Sequence, residues 1–349
     1  MFGAVCYGML WCGMAIIVTS DWHASENPRD EYRWRWLDKL PQLLRKEKAE
    51  ALFILGDLTE QKELHTAGLV NRLVSTIHKI ATVCPVVILA GNHDGRLGDE
   101  EAFFGFTGLL ERVSWVSRPQ PLTSLKNVPE SVSRRLRAIF LPYSGKPEKD
   151  WADIDFSSYD LAFTHQCYAG ATSDTGFKLK GVSLSLFPKD LQIISGDVHT
   201  PQEYGNLIYA GSPYRINFGD EFSPRVLRID KGEIDSVPCD GPMKFVLEVD
   251  KVDELAKYPH LNKEDILQVR VHIKADEYSK WSETVDAVRA WGAKKGFVID
   301  AVRPIVAGKG QSMAKVKKAP TKSDTELVKE YAAARGVGED TLKTGLKLI

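Results

Sequence analysis

Cysteine is scarce and scattered. Cys6, Cys12, Cys84, Cys167 and Cys239 are odd in number and far apart in a chain of 349 residues. No C-x-x-C pair occurs, which argues against a disulfide framework and a cysteine-built zinc site and makes a reducing cytoplasm the expected compartment. Excess charge is also missing, with 46 Lys and Arg against 47 Asp and Glu. No global positive field attracts nucleic acid, so any such binding must rest on local patches or bound metal. Internal repeats are absent too. Met1 to Ser20 carries no formal charge, yet no basic segment precedes it as a secretory signal requires. Its last part, Ala15-Ile16-Ile17-Val18-Thr19, reads as a buried strand, which a membrane helix cannot share. Residues 1–13 are therefore read as an extension, the fold as starting near Met14, and no membrane role is expected.

What remains is ordinary globular composition, 43% hydrophobic and 27% charged. The length suits about two domains. Ala15–Thr19, Ala51–Leu55 and Val86–Ala90 read as buried strands. A helical stretch from Trp34 to Lys48 lies between the first two, with a kink or restart expected at Pro41. Another, Thr66 to Ala81, lies between the second and third, with Leu69, Leu73, Ile77 and Ile80 at helical spacing. This βαβαβ order predicts a parallel sheet flanked by helices. Further strands are expected at Leu136–Leu141, Asp160–Thr164, Leu191–Ser195, Leu207–Ala210 and Arg225–Ile229. Beyond Pro238–Pro242 the pattern changes to a small α+β unit over 243–303. It has strands at Lys244–Val249, Leu267–Ile273 and Phe297–Val302 and a helix at Ser282–Trp291. A basic linker (304–322) and a helical tail (323–349) come next, the tail's first helix capped by Ser323 with Glu326 three residues on.

The chemistry sits at the strand ends. Asp21-Trp22-His23 comes after the first strand, Gly56-Asp57 after the second and Gly91-Asn92-His93-Asp94 after the third. His165 and Gly196-Asp197-Val198-His199 end two later strands. Open α/β sheets bind ligands outside the carboxyl ends of their strands, so these side chains are expected to converge. Half of the eight histidines lie at such ends. The set of carboxylates, imidazoles and an amide oxygen is too large for one ion. It suits two divalent ions sharing a carboxylate, and mixed oxygen and imidazole donors fit Mn²⁺, Fe²⁺ or Zn²⁺ better than Ca²⁺. Two such ions clamp a phosphoryl group and generate hydroxide near neutral pH. Cys167, two residues after His165, could be read as a nucleophile, but this cluster explains His165 better.

Over about residues 14–230 the chain resembles the calcineurin-like metallophosphoesterases, whose pattern is D-x-H, G-D, G-N-H-D, H and G-H-x-H. One position departs: Asp197 stands where the family usually has histidine, which bears on the second ion's affinity and identity. The resemblance implies a four-layer α/β/β/α sandwich (14–240), a small α+β capping domain and the C-terminal helical tail. It assigns Asp21, His23 and His199 to one ion, Asp57 as the bridge, and Asn92, His165 and Asp197 to the other. His93 would stabilise the transition state or protonate the leaving oxygen, oriented by Asp94; a helix N-cap is the alternative role for Asp94.

The segment Tyr209-Ala210-Gly211-Ser212-Pro213-Tyr214-Arg215-Ile216-Asn217-Phe218-Gly219-Asp220 resembles the G-S-P…F-G-E stretch of SbcD-type nucleases, in the compact form found in phages. That likeness implies a Mn²⁺-dependent DNA nuclease, with Mg²⁺ a further option. It also implies an SbcC-type ATPase partner docking on helices such as the tail, and a homodimer. The alternatives are a small-substrate phosphodiesterase or phosphatase of the same superfamily, and a weakly catalytic DNA-binding scaffold in which Asp197 spoils the second site. Arg215, Lys62, His65 and Arg96 are candidate phosphate contacts. Trp34 and Trp36 are candidate base-stacking residues, though helix-face packing is the simpler role for Trp36.

Overall fold

The computed structural model describes residues 15–62, 64–94, 103–173, 176–258 and 261–306. The extension 1–13, Arg96 and the tail 323–349 lie outside the described residues. The chain divides into two compact units: Met1–His272 with Ser279–Ile305, and Ile273–Tyr278 with Val306–Ile349. In the second, the Lys274 N–H donates to Glu277 Oε2 at 2.8 Å. The candidate site lies entirely in the first.

The described residues begin with β1 (Ala15–Thr19), α1 (Glu31–Lys46), β2 (Ala49–Leu55), α2 (Ala67–Ala81) and β3 (Val86–Leu89), the βαβαβ order that the periodicity predicts. Next come β4 (Val113–Val116), β5 (Gln120–Pro121), α3 (Glu130–Arg135), β6 (Ala138–Leu141), α4 (Pro147–Asp150), β7 (Leu161–His165) and β8 (Gln192–Gly196). After these stand β9 (Gln202–Tyr204), β10 (Leu207–Tyr209), β11 (Arg225–Asp230) and β12 (Glu233–Pro238). The chain continues through β13 (Lys244–Val249), β14 (Ile266–Ile273), α5 (Trp281–Lys295) and β15 (Val298–Val306). Residues 304–306, expected in the linker, therefore belong to a strand.

Among the described residues, two six-stranded sheets form the body, in the orders β12-β11-β1-β2-β3-β4 and β5-β6-β7-β8-β10-β9. β1 to β4 pair in parallel, as do β6, β7, β8 and β10. The strand pleat sorts side chains between layers. Ile16, Val18, Phe53 and Leu55 meet Phe140, Phe163 and Ile194 between the sheets. Ile17, Leu52 and Ile54 point the other way, onto α1 and α2. Burial on both faces explains why these strands read as continuous apolar runs.

α2 starts where Thr66 Oγ1 accepts the Leu69 N–H at 3.2 Å. α1 runs as one helix through Pro41, so the proline does not restart it. An interior proline costs about 3 kcal/mol. Trp36, Leu37, Leu40 and Leu44 are all buried, and each buried apolar side chain returns about 1.5–3 kcal/mol, so packing wins. Trp34 is buried as well, with Nε1 donating to Ser25 O at 2.7 Å. Neither tryptophan can stack on a base.

The outer face of the second sheet carries its helical content in short pieces. Among the described residues it is covered by Trp151, Phe156, Tyr168 and Phe187, carried on α4, short 3-10 turns and loops. β13, β14 and β15 form a third, three-stranded sheet. Arg29–Asp300 at 3.3 Å and Arg35–Glu264 at 3.4 Å tie the α1 region to it. Among the described residues, no helix is long and apolar enough to cross a membrane.

Candidate metal centre

The carboxyl ends of β1, β2, β3, β7 and β8 deliver Asp21 and His23, Asp57, Asn92 and His93, His165, and Asp197 and His199. Turning sharply off a strand is strained. Asp21, His23, Asp57 and Asp197 all take positive φ, at 53°, 42°, 56° and 78°, an uncommon conformation for non-glycine residues in which Asp and His are enriched. Gly196 is needed for close approach, because a side chain there would run into Ser20 Oγ and Leu55 O.

Donor atoms gather in overlapping groups: Asp21, His23 and His199; His23, Asp57 and His93; and Asp21, Asp57 and His165. His23 Nε2 and His199 Nε2 face each other at 3.1 Å. Two nitrogens at about 2.1 Å on one tetrahedral cation sit about 3.4 Å apart, a few tenths of an ångström from this separation. On the other side, His165 Nδ1 donates to Leu55 O at 2.6 Å. This leaves Nε2 facing Asp57 Oδ1 at 3.2 Å, Asn92 Oδ1 at 3.4 Å and Asp197 Oδ1 at 3.8 Å. A neutral imidazole so placed would point a lone pair at three oxygens. Positive charge belongs there, as a proton or as a cation. Asp57 spans the two groups, Oδ1 toward His165 at 3.2 Å and Oδ2 toward His23 at 3.5 Å. The donor set fits divalent cations.

The electrostatics agree. Burial raises the Asp21 carboxyl to about 6, against the pull of His165 and His199. Burial also opposes ionisation of Asp57, but His165, His23 and His93 outweigh it and hold Asp57 well below the ordinary carboxylate range. Burial pushes the His23 imidazole down and the Asp197 carboxyl up. Burial works against His165 as well, yet Asp57, Asp21 and Asp197 raise it well above the usual range.

His93 stands at the rim, its ring centroid 4.8 Å from that of His23. Its Nδ1 lies 2.9 Å from Glu60 O and its Nε2 edge looks toward Asp57 Oδ2 at 3.9 Å. Asp94 does not orient it, and this corrects the sequence expectation. The fully buried Asp94 carboxylate instead accepts the N–H groups of Asp57, Leu58 and Gly91, each at 2.8 Å. Burial, with the Asp57 charge, pushes its carboxyl up to about 7. The three accepted N–H bonds pull the other way and favour the ionised form. Asp94 therefore pins the loops that carry Asp57, Leu58 and Gly91, and it caps strand ends rather than a helix.

Arg215 is also corrected. It is 9% exposed, and its guanidinium donates to Phe222 O at 3.1 Å and Lys244 O at 3.2 Å. It clasps the main body to β13 and has no reach to a phosphate. The rest of its segment braces the site: Ser212 Oγ donates to Asp21 O at 3.0 Å, the Ser212 N–H to His199 O at 2.9 Å, and Tyr214 Oη to Trp22 O. His65 Nε2 lies near Thr59 Oγ1 at 2.9 Å and Gln61 O at 3.1 Å, committing the ring to its own loop. Lys62 is exposed on that loop.

Two residues escaped the sequence reading. Glu60, three positions after Asp57, places Oε2 3.5 Å from His23 Nδ1 and 3.0 Å from Arg33 Nη1. Arg33, a charged residue on the buried face of α1, also donates to His23 O. A buried cation between Tyr32 and Trp34 was the available signal.

A family profile for calcineurin-like phosphoesterases matches residues 14–201, more than half of the chain. The chain is a calcineurin-like phosphoesterase. As such it is a metal-dependent hydrolase of phosphoesters, and the gathered strand ends are its candidate active site. This phosphoesterase is 24% identical over 319 residues to the SbcD subunit of the SbcCD nuclease of Escherichia coli K12, covering 76% of this chain and 79% of that one. It is 22% identical over 212 residues to "Putative phosphoesterase 078R" of Invertebrate iridescent virus 3, covering 57% of each. Among solved structures, Pseudomonas putida nuclease MPE is similar at 16% identity and a TM-score of 0.29, over 64% of this chain and 87% of that one.

Proposed function

We propose that this phosphoesterase is a two-metal DNA nuclease of the SbcD type, with Mn²⁺ as its working ion. The observation that carries the two-ion reading is Asp57, whose two oxygens face different donor groups. Asp21, His23 and His199 would hold one ion and Asn92, His165 and Asp197 the other, with Asp57 shared. Bound ions would neutralise the phosphate and activate water. Oxygen donors dominate the second group, which favours Mn²⁺ over softer ions.

The remaining work falls to the chain itself. His93, held through Nδ1 by Glu60 O, keeps Nε2 at the rim, where it can give a proton to the departing sugar oxygen. Asp94 keeps Asp57 and Gly91 in register beneath it. The likeness to the bacterial SbcD protein extends past the phosphoesterase profile into the third sheet's region of the chain. That extent supports DNA as substrate, residues 243–303 as a capping module, an SbcC-type ATPase as partner and a homodimer as the assembly. A role in DNA end processing, recombination or repair, in the cytoplasm, accords with that reading.

The test is end-labelled linear DNA incubated with purified protein and Mn²⁺, beside Mg²⁺ and chelator lanes and a His93→Ala variant. Mn²⁺-dependent degradation that His93→Ala loses is the expected result. Turnover of a small nitrophenyl diester with intact DNA would replace this proposal with a small-substrate phosphodiesterase. Inactivity on both, with DNA still bound, would make the protein a scaffold.

A further inference from the structure

We infer that Glu60 is a positioning residue for the metal centre, holding the His23 imidazole by Nδ1 so that Nε2 faces the other donors. The inference rests on the metal-dependent reading of the site but not on DNA as the substrate.

His23 is 3% exposed, and its Nδ1 is buried without a hydrogen-bond partner among the described residues. Its Nε2 faces His199 Nε2 at 3.1 Å and Asp57 Oδ2 at 3.5 Å. For Nε2 to offer a lone pair there, the ring proton must sit on Nδ1. Glu60 Oε2 stands 3.5 Å from that atom, slightly beyond hydrogen-bond length. A small closing movement would make the carboxylate–imidazole pair that sets the tautomer of a metal-binding histidine and raises its basicity.

Glu60 does not wander, because Arg33 holds it. The Arg33 side chain is 4% exposed, with Nη1 3.0 Å from Glu60 Oε2, Nη2 3.2 Å from Asp30 Oδ1 and Nε 3.2 Å from Tyr32 Oη. Nη1 also donates to the carbonyl of His23 itself. A buried guanidinium with four anchors is a fixed post. Glu60 serves His93 differently, through its backbone carbonyl. Substituting the Glu60 side chain thus removes the support of His23 and leaves that of His93.

The experiment is calorimetric titration of Mn²⁺ into metal-free wild type, Glu60→Ala and Glu60→Gln. Loss of such a partner costs about 10–100-fold in metal affinity. Glu60→Ala is expected to weaken one of two binding events by that factor, and Glu60→Gln, which keeps an acceptor oxygen, to recover most of it. Histidine ¹⁵N NMR of the metal-free proteins should show His23 as the Nδ1–H tautomer in wild type and as a mixture in Glu60→Ala. Equal Mn²⁺ affinity in Glu60→Ala and wild type would overturn the inference, as would Glu60→Gln as weak as Glu60→Ala. If Glu60→Ala does not fold, a wild-type-like tautomer and affinity in Glu60→Gln support the inference and a weakened event refutes it. Wild type that binds two ions yet leaves DNA intact removes the DNA reading and keeps Glu60, whereas wild type that binds none removes both.

Discussion

Replacing Asp94 with asparagine separates two roles for this residue. The carboxylate accepts three backbone N–H groups at 2.8 Å, those of Asp57 and Gly91 on Oδ2 and that of Leu58 on Oδ1. An amide can keep its oxygen on one side only. With the oxygen toward Asp57 and Gly91, the NH₂ meets the Leu58 N–H donor to donor. One buried N–H then goes unpaired, costing about 1–3 kcal/mol, and the other two bonds lose the charge that made each worth about 1.5–3 kcal/mol. The sum is about 3–5 kcal/mol. At about 2–4 °C per kcal/mol, Asp94→Asn should melt roughly 6–20 °C below wild type. The assay is thermal unfolding by circular dichroism with both proteins held in chelator, so that lost metal does not enter the difference. If Asp94 instead served only to orient His93, the variant would melt within about 2 °C of wild type and lose only turnover. That result would refute the assignment.

Arg215→Ala should lose about 2–4 kcal/mol in urea unfolding, from two guanidinium bonds to carbonyls and the Phe245 ring beneath it; unchanged stability with weakened DNA binding would restore Arg215 as a substrate contact. Lys244 is 7% exposed with Nζ donating to Ile216 O at 2.7 Å, and burial, with Arg33 nearby, lowers its ammonium to about 8. The unfolded chain binds this proton between about pH 8 and 10.5 while the folded one does not, so Lys244 makes stability rise with pH across that window. Compared with Lys244→Met by urea unfolding at pH 8 and 10.5, wild type should gain about 1–3 kcal/mol on the variant at the higher pH, and no relative gain would refute the buried neutral amine. Asp197→His exchanges an oxygen donor for nitrogen, so the ratio of Zn²⁺ to Mn²⁺ affinity, measured by competition, should rise by tenfold or more on the order set by donor softness; an unchanged ratio would remove Asp197 from the ligand set.

The strand-end residues were legible because a parallel α/β sheet sends the carboxyl ends of its strands to one side. The apolar runs mark the strands, and the polar residues just after each run are marked with them. The family could be read from the same residues. Asp21, His23, Asp57, His165 and His199, far apart in the chain, come together as that rule requires.

What the linear order could not supply was the direction in which a polar side chain spends its hydrogen bonds. Asp94 and Arg215 sit beside chemistry in the sequence, yet both serve buried backbone, because unpaired N–H and C=O groups at strand ends and module junctions cost more than an orienting contact returns. Trp34 packs inward, its Nε1 spent on the Ser25 carbonyl. Glu60 and Arg33 carry no motif at all, since their roles exist only once α1 is laid against the loop after β2. Periodicity and strand-end chemistry, both local, were therefore settled by the amino-acid order. The partner of each buried charge was decided by tertiary packing, which alone brings residues distant in the chain within hydrogen-bond reach.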